Sequence, residues 1–166
     1  MNEPTNLERR IRVLEDIEAI RNLKAKWWYS IDHKLWDEVG NCVAEDVVLH
    51  NPSYYTIEGR KTLVEFLKKR LDAAIVTVHQ GHHHEIEIMS ETTARAKWAV
   101  RDQIVDSKAN TVFKGRYYYD DDFVKENGRW KLQRMTLNYI LSEGQKRGYG
   151  QDRAVWQGSV GVPPRE

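Results

Sequence analysis

With 166 residues and 26 Lys+Arg nearly cancelling 25 Asp+Glu, the chain suits one domain with one sizeable core. No block of like charge is long enough to track a phosphate backbone, which argues against nucleic-acid binding. Cys42 stands alone, so an internal disulfide is excluded, and the absence of an apolar leader or of a run of roughly 18 apolar residues predicts a cytoplasmic protein with no membrane span.

Leu7, Ile11, Leu14, Ile17, Ile20, Leu23, Trp27 and Ile31 recur at three- and four-residue steps and predict one long amphipathic helix, capped by Thr5 or Asn6 and ending near Asp32 or His33. Within residues 33–46, Trp36, Val39 and Val43 are spaced for a short second helix, which Gly40 weakens. Residues 47–50 read as a short strand, and Leu63, Phe66, Leu67 and Leu71 mark the apolar face of a third helix over 60–74, its lysines and arginines turned to water. The period then changes to two. Residues 76–89, 92–105, 110–124 and 129–142 predict four long consecutive antiparallel strands joined by short turns. Helices first and a meander afterwards make an α+β domain over residues 1–143, with the helices packed on one face of a strongly curved sheet. From Gly144 the chain is Gly-rich and aperiodic, and the tail 144–166 is expected to dock through Tyr149 and Trp156, over a pocket or on a neighbouring subunit. Six Trp and eight Tyr against three Phe are rings whose polar tips want partners, a composition that suits a core containing a cavity.

His79, His82, His83 and His84 crowd the first long strand. In a regular strand Val78, Gln80, His82, His84, Ile86 and Ile88 share one face, while His79, Gly81, His83, Glu85 and Glu87 share the other; a bulge at Gly81 would exchange the faces beyond it. At roughly 3.3 Å per residue His79 and His83 are about 13 Å apart, too far to share an ion. His82 and His84 have the His-x-His spacing of zinc and iron sites, yet Ile88 and Met89 stand where a following carboxylate ligand would, and no metal is expected. His79 is the candidate base, because it follows the apolar start of the strand and precedes a glycine that lets other groups approach. Asp32, closing the helix behind Trp27 and Trp28, and Asp102, interrupting a strand made to be buried, supply carboxylates among apolar neighbours; with the imidazole they have the composition of an Asp/His base.

The order of elements, with LEDIEAIRNLKAK at 14–26, SID at 30–32, KLWDE at 34–38, HQG at 79–81 and NGRWK at 127–131, resembles the SnoaL-like branch of the nuclear transport factor 2-like superfamily over residues 7–143. In motif it is most similar to the bile-acid 7α-dehydratases, and more distantly to hexachlorocyclohexane dehydrochlorinase and scytalone dehydratase. The resemblance implies a cone-shaped α+β barrel with a deep pocket, a small-molecule substrate, no cofactor and a homodimer or homotrimer. It also implies His79 as the base, Asp32 as the carboxylate holding its imidazole, Asp102 as a further acid, and Gly115, Tyr117, Tyr119 and Tyr139 on the pocket wall. Trp27 stands where those dehydratases have a tyrosine and Tyr139 where they have an arginine, which points away from bile acids. Trp27, Trp28, His50, Trp98, Tyr117 and Tyr119 are the expected substrate-binding side chains, with Tyr139 supporting, in a pocket suited to one or two aromatic rings. The expected activity is that of a cofactor-independent lyase, dehydrating a hydroxylated aromatic molecule or cleaving it by a retro-aldol step. The alternatives are a ketosteroid-isomerase-like double-bond isomerase, with Asp102 and Tyr117 as its acid pair, and a non-catalytic ligand-binding protein of the same fold.

Overall fold

The computed structural model describes residues 5–147. Helix α1 (Asn6–Asp32) opens on a capping box: Thr5 Oγ1 accepts the Glu8 N–H while the Glu8 carboxylate accepts the Thr5 N–H. Its buried residues all lie in the second half. Leu7, Ile11 and Leu14 remain exposed, whereas Ile20, Trp27, Trp28 and Ile31 are buried against the sheet. After α2 (Trp36–Cys42) come β1 (Val43–Asn51), β2 (Tyr55–Glu58) and α3 (Arg60–Arg70), then β3 (Ile75–Ile88), β4 (Thr93–Asp106), β5 (Thr111–Glu126) and β6 (Arg129–Lys146). The six strands lie in the order β2-β1-β6-β5-β4-β3, with β1 parallel to β6 and every other pairing antiparallel. Asn127 and Gly128, both with positive φ, form the tight turn between β5 and β6. Among the described residues no helix is long and apolar enough to cross a membrane.

Several boundaries differ from those read in the sequence. β1 starts at Val43, ahead of the expected 47–50, and β2 is an additional strand whose four residues are too few for a period to register. α3 stops at Arg70 instead of 74, where the Asp72 carboxylate accepts the Ala74 N–H and turns the chain into β3. β6 continues through Gly144, which pairs with Phe113, to Lys146, which pairs with Thr111. The sheet therefore extends past residue 143, because ladder hydrogen bonds to β5 stabilise strand backbone whatever its side chains. Tyr149 and Trp156 lie outside the described residues.

The inner face of the sheet is set by strict alternation. Ala94, Ala96, Trp98, Val100 and Asp102 of β4 stand in register with Phe123, Asp121, Tyr119, Tyr117 and Gly115 of β5. One buried ion pair fixes α1 over this face: Lys24 Nζ is 2.7 Å from Asp121 Oδ2, with both side chains 0% exposed. The ammonium also lies 3.8 Å from the ring centroid of Tyr119 and 5.0 Å from that of Trp28. Burial pushes the Lys24 ammonium down and the Asp121 carboxyl up, and each partner's charge opposes the shift.

β3 carries the bulge, but at His83 and not at Gly81. The register with β4 slips between His82 and Glu85, and His83 takes φ 46. Beyond it Ile86 and Ile88 oppose the buried Ala96 and Ala94, and the His84 ring lies 5.2 Å from Trp98 on the inner side. His82, opposite the outward Ala99, faces the other way. The shared face expected for His82 and His84 is thus corrected. Gly81 serves a different purpose: a Cβ there would collide with Cη2 and Cζ3 of Trp28, so the missing side chain is what lets α1 approach β3.

Replacing Lys24 by Met leaves Asp121 buried without its cation and is expected to cost about 3–5 kcal/mol in urea unfolding near neutral pH. The double replacement Lys24→Met with Asp121→Leu should recover most or all of that loss. A single-variant cost below about 1 kcal/mol would show that the pair does not hold the helix to the sheet.

Candidate active site

Asp32 is the last residue of α1, at the end of the helix where the dipole disfavours a negative charge. Three donors of β3 offset this. Thr77 Oγ1–H donates to Asp32 Oδ1 at 2.8 Å, the His79 backbone N–H donates to Oδ2 at 2.9 Å, and His79 Nδ1 lies 2.6 Å from Oδ1. A carboxylate can only accept, so Nδ1 carries a proton, and in the neutral imidazole Nε2 then keeps its lone pair. The two side chains are 9% and 17% exposed, and Thr77 is buried beside them. Lys34 Nζ approaches Thr77 Oγ1 at 3.4 Å; burial lowers its pKa, against the attraction of Asp32 and Asp72.

The imidazole forms part of the wall of a cavity of about 550 Å³ between the sheet and α3. Trp27, Tyr117, Tyr119 and Tyr139 supply rings to this wall, with Tyr117 and Tyr139 centroids 4.7 Å apart. Asp102 joins them, directly opposite His79 in the β3–β4 register. Tyr117 Oη–H donates to Asp102 Oδ2 at 3.1 Å, while the buried Oδ1 has no hydrogen-bond partner among the described residues. Burial raises the Asp102 pKa, and the charge of His79 and the Tyr117 bond act against the rise. Gly115 beneath it leaves room for the carboxylate, since a Cβ would press on Oδ1 and the Asp102 side chain would have to shift. The phenols of Tyr117, Tyr119 and Tyr139 are all raised, chiefly by burial.

The structure thus gathers His79, Asp102, Trp27, Tyr117, Tyr119 and Tyr139 around one cavity, with Asp32 behind the imidazole. Three other expected side chains lie elsewhere. Trp28 and Trp98, 5.5 Å apart edge to face, line a second hollow of about 480 Å³ with Asp32, Gly81 and His84. Trp27 and Trp28 part company because successive residues on a helix point about 100° apart. His50 alternates with the cavity-lining Leu49 and Asn51, so its ring turns away and its Nδ1 meets Thr56 Oγ1 at 2.8 Å on β2. Tyr55, Phe66 and Arg70 also line the wall and were not expected in the site: Tyr55 sits on the strand too short to register, Phe66 reads as part of the apolar face of α3, and Arg70 as one of a solvated basic face. His79 borders both hollows. Among the described residues no group of three or more His, Cys, Asp or Glu is disposed to hold a metal ion.

This architecture recurs in solved structures. The chain is similar to a hexachlorocyclohexane dehydrochlorinase, LinA type 2, with a TM-score of 0.76 and 14% identity over 82% of this chain and 93% of that one. It is similar to a scytalone dehydratase-like protein of Novosphingobium aromaticivorans, with a TM-score of 0.75 and 19% identity over 90% of this chain and 99% of that one. ActVI-ORFA of Streptomyces coelicolor follows with a TM-score of 0.64 and 15% identity, covering 75% of this chain and 96% of that chain. At such identities the likeness speaks for the fold alone, an α+β domain of the nuclear transport factor 2-like class. The chain belongs to the SnoaL-like domain family, which it matches over residues 12–136.

The Asp102 carboxyl is expected to titrate above the ordinary carboxylate value of about 3.9. Because the Tyr117 hydroxyl favours its charged form, Tyr117→Phe should raise the Asp102 pKa further, read from the carboxyl ¹³C shift against pH. A fall on removing that hydroxyl would mean the bond is not made in solution.

Proposed function

We propose that the protein is a cofactor-independent lyase acting on a hydroxylated, ring-bearing aromatic small molecule, with His79 as the base and Asp32 as the group that holds it. The observation that carries this reading is the 2.6 Å contact between His79 Nδ1 and Asp32 Oδ1 at the wall of a cavity lined by an indole and phenols. With Nδ1–H committed to Asp32, Nε2 takes a proton from the substrate. In a dehydration the proton comes from the carbon beside a carbinol, a carbon–carbon double bond forms, and the hydroxyl leaves as water after receiving a proton. Burial favours the protonated form of Asp102, which suits that donation, and Tyr139 is a second donor on the same wall. In a retro-aldol cleavage His79 instead takes the hydroxyl proton, the adjacent carbon–carbon bond breaks with release of a small aldehyde, and the ring-stabilised carbanion is reprotonated. The dehydrochlorinase and dehydratase names of two structural neighbours support an elimination.

The Asp102–Tyr117 pair favours a second reading, double-bond isomerisation, in which His79 returns its proton to another carbon. Product mass separates the two, since an isomer keeps its mass and a dehydration loses one water. The apolar Val78, Tyr118 and Leu141 left exposed on the sheet support a homo-oligomer.

In a screen of aromatic diols and β-hydroxy aromatic compounds, His79→Ala and Asp32→Asn are each expected to lower kcat about 10²–10⁴-fold while retaining the wild-type circular dichroism spectrum. Turnover that survives either replacement removes the dyad from the mechanism.

A further inference from the structure

Helix α3 ends in three consecutive cations, Lys68, Lys69 and Arg70. Such a run complements the carbonyl end of the helix dipole and is ordinarily solvated, as Lys68 and Lys69 are. Arg70 differs from them in where its side chain goes. It lines the cavity that holds His79 and Asp102, and its guanidinium carbon lies 5.9 Å from the ring centroid of Tyr55 on the same wall. No ion pair among the described residues involves Arg70.

Neither acid on the same wall pairs with Arg70, and each has one oxygen engaged elsewhere. Asp102 accepts from Tyr117, and Asp106 Oδ1 accepts the backbone N–H groups of Lys108 and Ala109 in the turn after β4. Arg70 nevertheless acts inside the cavity: burial raises the phenols of Tyr55 and Tyr139, and its positive charge works against the rise in both. A guanidinium offers five donors in a planar fork that fits a carboxylate through two parallel hydrogen bonds. One at the solvent edge of a phenol-lined cavity, with no carboxylate partner among the described residues, is complementary to an anion brought by the ligand.

We propose that Arg70 sets the substrate class: an aromatic molecule with a carboxylate remote from the reacting carbon. The carboxylate meets Arg70, the ring rests among Tyr117, Tyr119 and Tyr139, and the reacting end faces His79. The orientation of the reacting end rests on the lyase reading above; the anion site does not require turnover. The wall supplies hydrophobic contact to any ring of this size, so affinity for the ring alone does not depend on Arg70, and selection between charged and uncharged ligands does.

The matched probes are 4-hydroxycinnamate and its primary amide, which differ in charge and hardly in shape, titrated calorimetrically into the full-length protein near neutral pH. The wild type is expected to bind the acid about tenfold or more tightly than the amide, with the preference shrinking as salt is added. Arg70→Gln should bring the two within about twofold of each other by weakening the acid alone, and Arg70→Lys should keep part of the preference. Arg70 is exposed, so these variants should melt as the wild type does. Equal binding of acid and amide by the wild type, binding of neither, or a preference that persists in Arg70→Gln overturns the proposal. The same titrations on His79→Ala separate it from the lyase reading: a preserved acid preference there, whatever happens to turnover, supports the Arg70 site independently of the base.

Discussion

The carboxylate of Asp32 is the constraint around which this molecule is organised. It sits at the carbonyl end of a long helix, where its charge is unwelcome, and it is made tolerable only by donors that another element brings to it. Thr77 Oγ1, the His79 backbone N–H and His79 Nδ1, all on β3, meet its two oxygens, so one side chain ties the end of α1 to an edge strand of the sheet. Trp28, one helical turn earlier, lies on Gly81, two residues beyond His79, and makes a second clamp that only glycine permits. The imidazole is caught between these clamps. Its orientation follows from the packing of helix on strand, and no other element has to arrange it.

Three polar pairs on the inner side of the sheet are differentiated by what surrounds them. Lys24 and Asp121 are sealed beneath Trp28 and Tyr119, where the loss of solvent is opposed by their mutual charge, an arrangement that fixes position. Asp102 and Tyr117 stand on the cavity wall, where one carboxylate oxygen is bonded and the other is left over, and burial biases the acid toward its protonated form. Asp32 and His79 are partly open to solvent, with one imidazole nitrogen committed and the other available.

A fold of this class hosts many activities, so the functional reading rests on the site. Rings from α1, β5 and β6 make a cavity that favours flat, apolar ligands, while the charged groups lie at distinct places on its wall: the imidazole on β3, the acid on β4 and the guanidinium at the end of α3. A molecule with a polar reacting end, a ring and an anionic substituent matches that arrangement. A plain hydrocarbon would make no polar contact with the free Asp102 oxygen or with the guanidinium.

Periodicity along the chain determined the long first helix, the third helix and the four-strand meander, because three-, four- and two-residue repeats of apolar side chains are local properties of the sequence. Residue chemistry among apolar neighbours likewise marked Asp32, His79 and Asp102 before any contact was visible. Tertiary structure alone decided the rest. An additional residue at His83 exchanged the faces of β3 and sent His84 to Trp98, a bulge whose place the alternation pattern did not mark. The turn of a helix by about 100° per residue separated Trp27 from Trp28, and strand alternation sent His50 to Thr56. Arg70 reads as one of the cations of α3 turned to water, and nothing in the pattern marks Lys24; Lys24 is buried because Asp121 lies on a distant strand, and Arg70 borders the cavity because the curved sheet brings the end of α3 there. A side chain's period is written in its neighbours along the chain. Its electrostatic partner is chosen by the folding of segments far apart, which no local pattern encodes.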